Sequence, residues 1–132
     1  MRERTNCFLI DNDPEDQEIF CLALEEITAS VHCRTAGSGP EALKLLNGEP
    51  AYTPDFIFID MNMPLMDGRE CLTEVKKLSW LNEVPVYMYS TDANPRIVGE
   101  MKELGAKDLL IKPGSFKLLK EMLARLLNNE NQ

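Results

Sequence analysis

Apolar positions along this chain follow two alternating rhythms, and the alternation predicts an architecture. Five short runs, CFLI (7–10), VHCRTA (31–36), FIFI (56–59), VPVYMY (84–89) and DLLI (108–111), are rich in β-branched or aromatic residues and read as strands. FIFI is apolar at every position, as expected of a strand covered by helices on both faces. Between the runs, apolar residues recur at helical spacing. Asp13-Pro14-Glu15-Asp16 opens a first helix with a cap, a proline at the first position and acids in the first turn. Its expected buried stripe is Ile19, Leu22, Ala23 and Ile27. Ser38-Gly39-Pro40-Glu41 opens a second helix as a capping box, and Asn47-Gly48 closes it. Asp67-Gly68-Arg69-Glu70 is another capping box, leading to Leu72, Val75 and Leu78. Asn94-Pro95 opens a fourth helix through Ile97, Met101 and Leu104, ended by Gly105. Ser115 opens a fifth, with Phe116, Leu119, Met122, Leu123 and Leu126 inward. Residues 48–55 read as a surface loop, and the polar end NNENQ as a fraying tail.

Strict alternation of five strands and five helices predicts a doubly wound α/β fold with a parallel five-stranded sheet. At 132 residues, one domain is expected over 1–132, with its core at about 5–128. Such sheets place their sites beyond the carboxyl ends of the strands. Those ends carry Asp11, Asn12 and Asp13 after strand one and Asp60 after strand three. Ser90 and Thr91 follow strand four, and Lys112 and Pro113 follow strand five. Acids, hydroxyls and one lysine are thus expected at one edge.

Charge and cysteine content narrow the function. Fourteen Lys+Arg against 22 Asp+Glu give a net charge of −8, without the basic footprint a nucleic-acid binder needs. No apolar run approaches the roughly 20 residues that span a bilayer. The apolar run near the N-terminus is too short for a signal-peptide core, so a cytoplasmic protein is expected. Cys7, Cys21, Cys33 and Cys71 lack CxxC spacing and read as buried, reduced thiols, with a Cys7–Cys33 bridge between neighbouring strands as the alternative. His32, the only histidine, reads as structural or exposed.

Four segments, FLIDNDP, IDMNMPLMDG, VYMYSTDA and LGAKDLLIKP, occur in this order, each at its strand end. Together they resemble the receiver domain of two-component response regulators, related to the small chemotaxis response regulator. The resemblance covers Cys7 to about Leu127. It implies a flavodoxin-like sheet of order 2-1-3-4-5 and a phosphorelay function without metabolic catalysis. Asp60 is the implied phosphoacceptor, fed by a histidine kinase or phosphotransfer protein and stored as an aspartyl phosphate. Asp11, Asn12, Asp60 and the backbone carbonyl of Asn62 are the implied Mg²⁺ ligands, with Asp13 as a further candidate. Lys112 and Ser90 would contact the phosphoryl group, and a cis peptide before Pro113 would aim the lysine inward. Output would pass through protein–protein contact, with neither nucleic acid nor membrane as partner.

Other readings of the same residues remain open. Asp60 can cap its turn, and Asp13 before Pro14 is a good N-cap. Thr91 and Asp92 read as turn or cap residues. The sequence also departs from the family pattern in two places. Asn12 stands where a second acid is usual, and a charge pair at about 4 Å is worth roughly 1–4 kcal/mol in water-like to surface-like surroundings. Weaker Mg²⁺ binding is therefore expected, and a pseudo-receiver that docks partners without phosphorylation is the alternative function. Leu109 stands where an aromatic switch residue is usual, leaving Tyr87 and Tyr89 as the nearby rings. A flavodoxin-like cofactor binder is a third reading, disfavoured because Asp11, Asn12 and Asp13 would repel a phosphate.

Overall fold

The computed structural model describes residues 4–92 and 94–130. Five strands, β1 (Thr5–Ile10), β2 (Val31–Ala36), β3 (Phe56–Asp60), β4 (Val86–Ser90) and β5 (Asp108–Ile111), form one sheet in the order β2-β1-β3-β4-β5. Every neighbouring pair is parallel. The connecting helices are α1 (Pro14–Ile27), α2 (Gly39–Leu46), α3 (Gly68–Lys76), α4 (Pro95–Glu103) and α5 (Phe116–Glu130). A short 3-10 turn at Ser79–Leu81, which the sequence pattern did not signal, precedes β4. The expected doubly wound α/β sheet is therefore present, with the predicted order.

Strand alternation divides the apolar runs between two cores. Phe8, Ile10, Ile57, Ile59, Val86 and Met88 face α2, α3 and α4. Cys7, Leu9, Phe56, Phe58, Tyr87 and Tyr89 face α1 and α5. FIFI is fully apolar because β3 lies mid-sheet and spends alternate residues on each layer. Side chains start the helices as expected. Asp13 accepts the N–H of Glu15, Asn94 that of Ile97, and Ser115 that of Leu118. Asp67 and Glu70 form a complete capping box.

Several expectations need correction. The buried face of α1 is Phe20, Ala23 and Leu24, whereas Ile19 and Leu22 are 40% and 49% exposed. Both sets satisfy helical spacing; Phe20 wins because its ring fits edge-on against Phe58 and Tyr89. At α2, Ser38 accepts the N–H of Glu41, but the Glu41 carboxylate reaches past it to the N–H of Gly37. The helix α5 runs through Glu130, and residues 131 and 132 of the polar tail lie outside the described residues.

The cysteines also differ from expectation. Cys21 and Cys33 are joined in a disulfide, and Cys7 and Cys71 are free and buried. Cys7 and Cys33 are cross-strand partners, as the alternative bridge required. Cys7, however, is sealed beneath the α1/α5 layer, while Cys33 on the edge strand lies under α1, where Cys21 stands. The corrected phase of α1 is what brings Cys21 to that flank.

Candidate functional site

Three strand ends meet at one point. Asp11 follows β1 directly, and its N–H donates to Ala36 O at 3.0 Å, extending the sheet by one bond. Its side chain is fully buried. Oδ1 accepts the N–H of Asp13 at 3.0 Å, and Oδ2 lies 3.4 Å from Lys112 Nζ. Asp60 is the last residue of β3 and is 5% exposed. Its Oδ1 accepts the N–H of Asn62 at 3.3 Å and lies 3.5 Å from the same Lys112 Nζ. The turn role foreseen for Asp60 is therefore real but weakly held, and it leaves the carboxylate beside the lysine. Lys112 follows β5, its N–H donating to Ser90 O at 2.7 Å. Its ammonium also sits 5.1 Å from the centroid of the Tyr89 ring.

The expected cis peptide before Pro113 is not there. Among the described residues the cis bond is Glu49–Pro50. Lys112 reaches both carboxylates from a trans bond because its backbone is pinned to Ser90 and its long stem crosses the Tyr89 ring.

One acid escaped sequence reasoning. Asp16, in the first turn of α1, places Oδ2 3.0 Å from Lys112 Nζ, closer than either expected partner. It read as a first-turn acid favouring the helix dipole, and that reading gives no sign of which way the side chain turns. The contact depends on the helix phase, which the sequence left ambiguous.

The remaining candidates lie around this centre. Asn12 is exposed and takes no part in the lysine contacts. Asp13 caps α1 through Glu15 N–H, as expected of it. Ser90 is buried at the end of β4, and its Oγ accepts the N–H of Asp92 at 3.1 Å, leaving its own hydrogen to donate. Leu109 pairs with Met88 and packs into the α2/α3/α4 core, so no ring stands at that position. An open groove of about 290 Å³, lined by Asp16, Ile19, Tyr89, Phe116 and Leu119, adjoins Lys112.

The electrostatics follow from burial and from three carboxylates around one ammonium. Burial pushes Asp11 up to about 6; the nearby charge of Asp60 adds to this, while the Asp13 N–H and Lys112 oppose it. Burial disfavours the Lys112 ammonium, yet its hydrogen bond to Asp16 and the charges of Asp11 and Asp60 outweigh that and raise it. Burial likewise pushes Tyr89 up to about 12. A single lysine leaves this pocket short of positive charge when all three acids are ionised. The oxygens near it are hard donors of the kind Mg²⁺ prefers. Among the described residues no three Asp, Glu, His or Cys side chains are grouped as a ready metal cage. Two carboxylates plus water and a backbone carbonyl suit Mg²⁺, which keeps several waters of its own.

Known proteins resemble this chain over most of its length. The family model described as the response regulator receiver domain matches residues 7–124. A rice protein, two-component response regulator ORR11, is 37% identical over 118 residues, covering 89% of this chain and 78% of the relative. The probable C4-dicarboxylate response regulator DctR of Bacillus subtilis is 30% identical over 124 residues, covering 94% of this chain. The chain spans about half of DctR, 53% of its length. Among solved structures, the phosphorylated cyanobacterial phytochrome response regulator RcpA superposes with a TM-score of 0.82 at 28% identity, covering 93% of this chain and 91% of that one.

Proposed function

The chain belongs to the response regulator receiver domain family, and from that premise we propose that Asp60 is the residue phosphorylated in a two-component phosphorelay. The donor is a histidine kinase or phosphotransfer protein. An Asp60 carboxylate oxygen attacks phosphorus; the P–O bond forms as the P–N bond to the donor histidine breaks, and the imidazole leaves with the electron pair. Lys112 stands ready to neutralise the phosphoryl oxygens as a point charge on a long stem. To do so fully it must loosen its contact with Asp16. Ser90 exchanges its local contact with Asp92 for a hydroxyl hydrogen bond to the attached group. Asp11, Asp60, the Asn62 carbonyl and the Asn12 amide oxygen would hold Mg²⁺, with Asp13 able to join by giving up its cap. The ion supplies positive charge against the phosphoryl oxygens.

The observation that carries this reading is the convergence of Asp11 and Asp60 on one lysine ammonium, at 3.4 and 3.5 Å. A relative solved in its phosphorylated form supports it. We place the protein in the cytoplasm, with output by protein–protein contact. The test is mass spectrometry of the wild type and Asp60→Asn after incubation with a small phosphodonor and Mg²⁺. The wild type should gain one phosphoryl group and the variant none. An adduct that survives Asp60→Asn refutes the assignment. Asn12, exposed and uncharged, is the feature favouring a pseudo-receiver. No wild-type adduct, even with a cognate kinase, establishes that second reading.

A further inference from the structure

The thiol chemistry of this chain is divided unevenly. Cys7 and Cys71 are fully buried, and burial pushes both thiols up to about 12, so neither offers a thiolate near neutral pH. Cys21 and Cys33 are different. Both are half-buried, and each lines its own open cavity. The Cys21 cavity, about 430 Å³, is shared with Gln17, Glu18 and Thr35. The Cys33 cavity, about 520 Å³, is shared with Arg4 and His32, and Glu25 borders both. The bond joins α1 to β2, an edge strand with no neighbour on its far side. Each cysteine therefore borders space open to solvent.

We propose that Cys21 and Cys33 form a reversible dithiol–disulfide centre that fastens the second half of α1 to the edge strand, opened and closed by an external dithiol. The Cα atoms are 5.4 Å apart, within the range a disulfide bridges without backbone movement. In the opening step, a thiolate of the external dithiol attacks Cys21 Sγ, the Cys21–Cys33 bond breaks, and Cys33 leaves with the electron pair. The second thiol of the reagent then attacks the mixed disulfide and releases Cys21. Two electrons pass to the protein, and the external dithiol becomes a disulfide. The reverse sequence, with an external disulfide as oxidant, closes the bond. Once open, the span from Leu22 to Thr28 loses its cross-link to β2 and is held by packing and by the short connection through Ala29 and Ser30.

This centre stands apart from the lysine–carboxylate pocket and does not rest on the phosphorylation reading. The full chain is equilibrated with graded ratios of dithiothreitol and its oxidised form, then labelled with a maleimide under native conditions and mapped by peptide mass. The oxidised protein should take no label. The reduced protein should take label at Cys21 and Cys33 together, at one common ratio, with Cys7 and Cys71 unlabelled; reoxidation should remove both labels. Amide hydrogen exchange over residues 22–28 and 31–36 should rise severalfold on reduction. Cys33→Ser should exchange at the reduced rate and ignore dithiothreitol. Label on the oxidised pair, no label after native reduction, or exchange indifferent to redox state each overturns the proposal. So does a dithiothreitol response that persists in Cys33→Ser.

Discussion

Asp11 carries its carboxyl to the bottom of the pocket, and burial there raises it from 3.8 to about 6. Between those two values the folded chain keeps a proton that the unfolded chain has released. The folded state is therefore favoured at low pH, and this contribution is lost as pH rises through about 6. Asp11→Asn keeps an oxygen for the Asp13 N–H and removes the charge. We expect the metal-free variant to be more stable than wild type at pH 7 by about 1–3 kcal/mol, with the difference vanishing below about pH 4. Urea denaturation across that range measures it; parallel curves would mean the buried charge is not penalised. Position 12 makes the opposite prediction. Asn12→Asp adds a carboxylate at the proposed Mg²⁺ site, where a bound ion would attract it by roughly 1–4 kcal/mol. Calorimetric titration should show Mg²⁺ bound about tenfold more tightly or better, and unchanged affinity would show that position 12 does not ligate the ion.

At the scale of elements, the turn from β3 into α3 fixes the geometry of Asp60. Gly68 donates its N–H to Met61 O at 3.0 Å, folding the start of α3 back over the strand end. A Cβ on Gly68 would meet Asp60 O at 2.6 Å and the Met61 Cα at 2.7 Å. Both are backbone atoms, so the clash cannot be relieved by a side-chain rotation. Gly68→Ala should destabilise by about 1–3 kcal/mol and slow Asp60 phosphorylation, because the relief must move the acceptor strand or the helix. A variant with the wild-type urea midpoint and phosphorylation rate would show that the turn is not rigid. Within this turn the sequence was partly legible. Asp67-Gly68-Arg69-Glu70 read as a capping box because its signal is local, and the structure has both of its bonds. Leu65, with a positive φ of 69° and 89% exposed, had no such signal, since a leucine does not mark that conformation.

Across the whole molecule, what could be read was what topology dictates. Alternating strands and helices fixed the sheet, and the sheet brought Asp11, Asp60 and Lys112 to one edge. What could not be read depended on rotation about a helix axis. Ile19 and Leu22 or Phe20 and Leu24 could equally face inward by spacing, and that choice also decided where Asp16 and Cys21 point. Phe20 settles the phase. Its ring centroid lies 4.9 Å from Phe58 and 5.5 Å from Tyr89, and the Tyr89 ring in turn lies beneath the Lys112 ammonium. Phe20→Ala should therefore act at two levels. Loss of the ring costs about 3–5 kcal/mol, a large share of the roughly 5–15 kcal/mol that holds a domain folded. With the Cys21–Cys33 bond reduced, it also frees α1 to turn toward Ile19 and Leu22, carrying Asp16 away from Lys112. Phe20→Leu retains apolar bulk and should recover most of the stability while losing the edge-to-face contacts. Urea midpoints for the pair, read beside the Asp60 phosphorylation rate, separate the effects: if Phe20→Ala unfolds no more easily than Phe20→Leu, this ring does not fix the phase of α1.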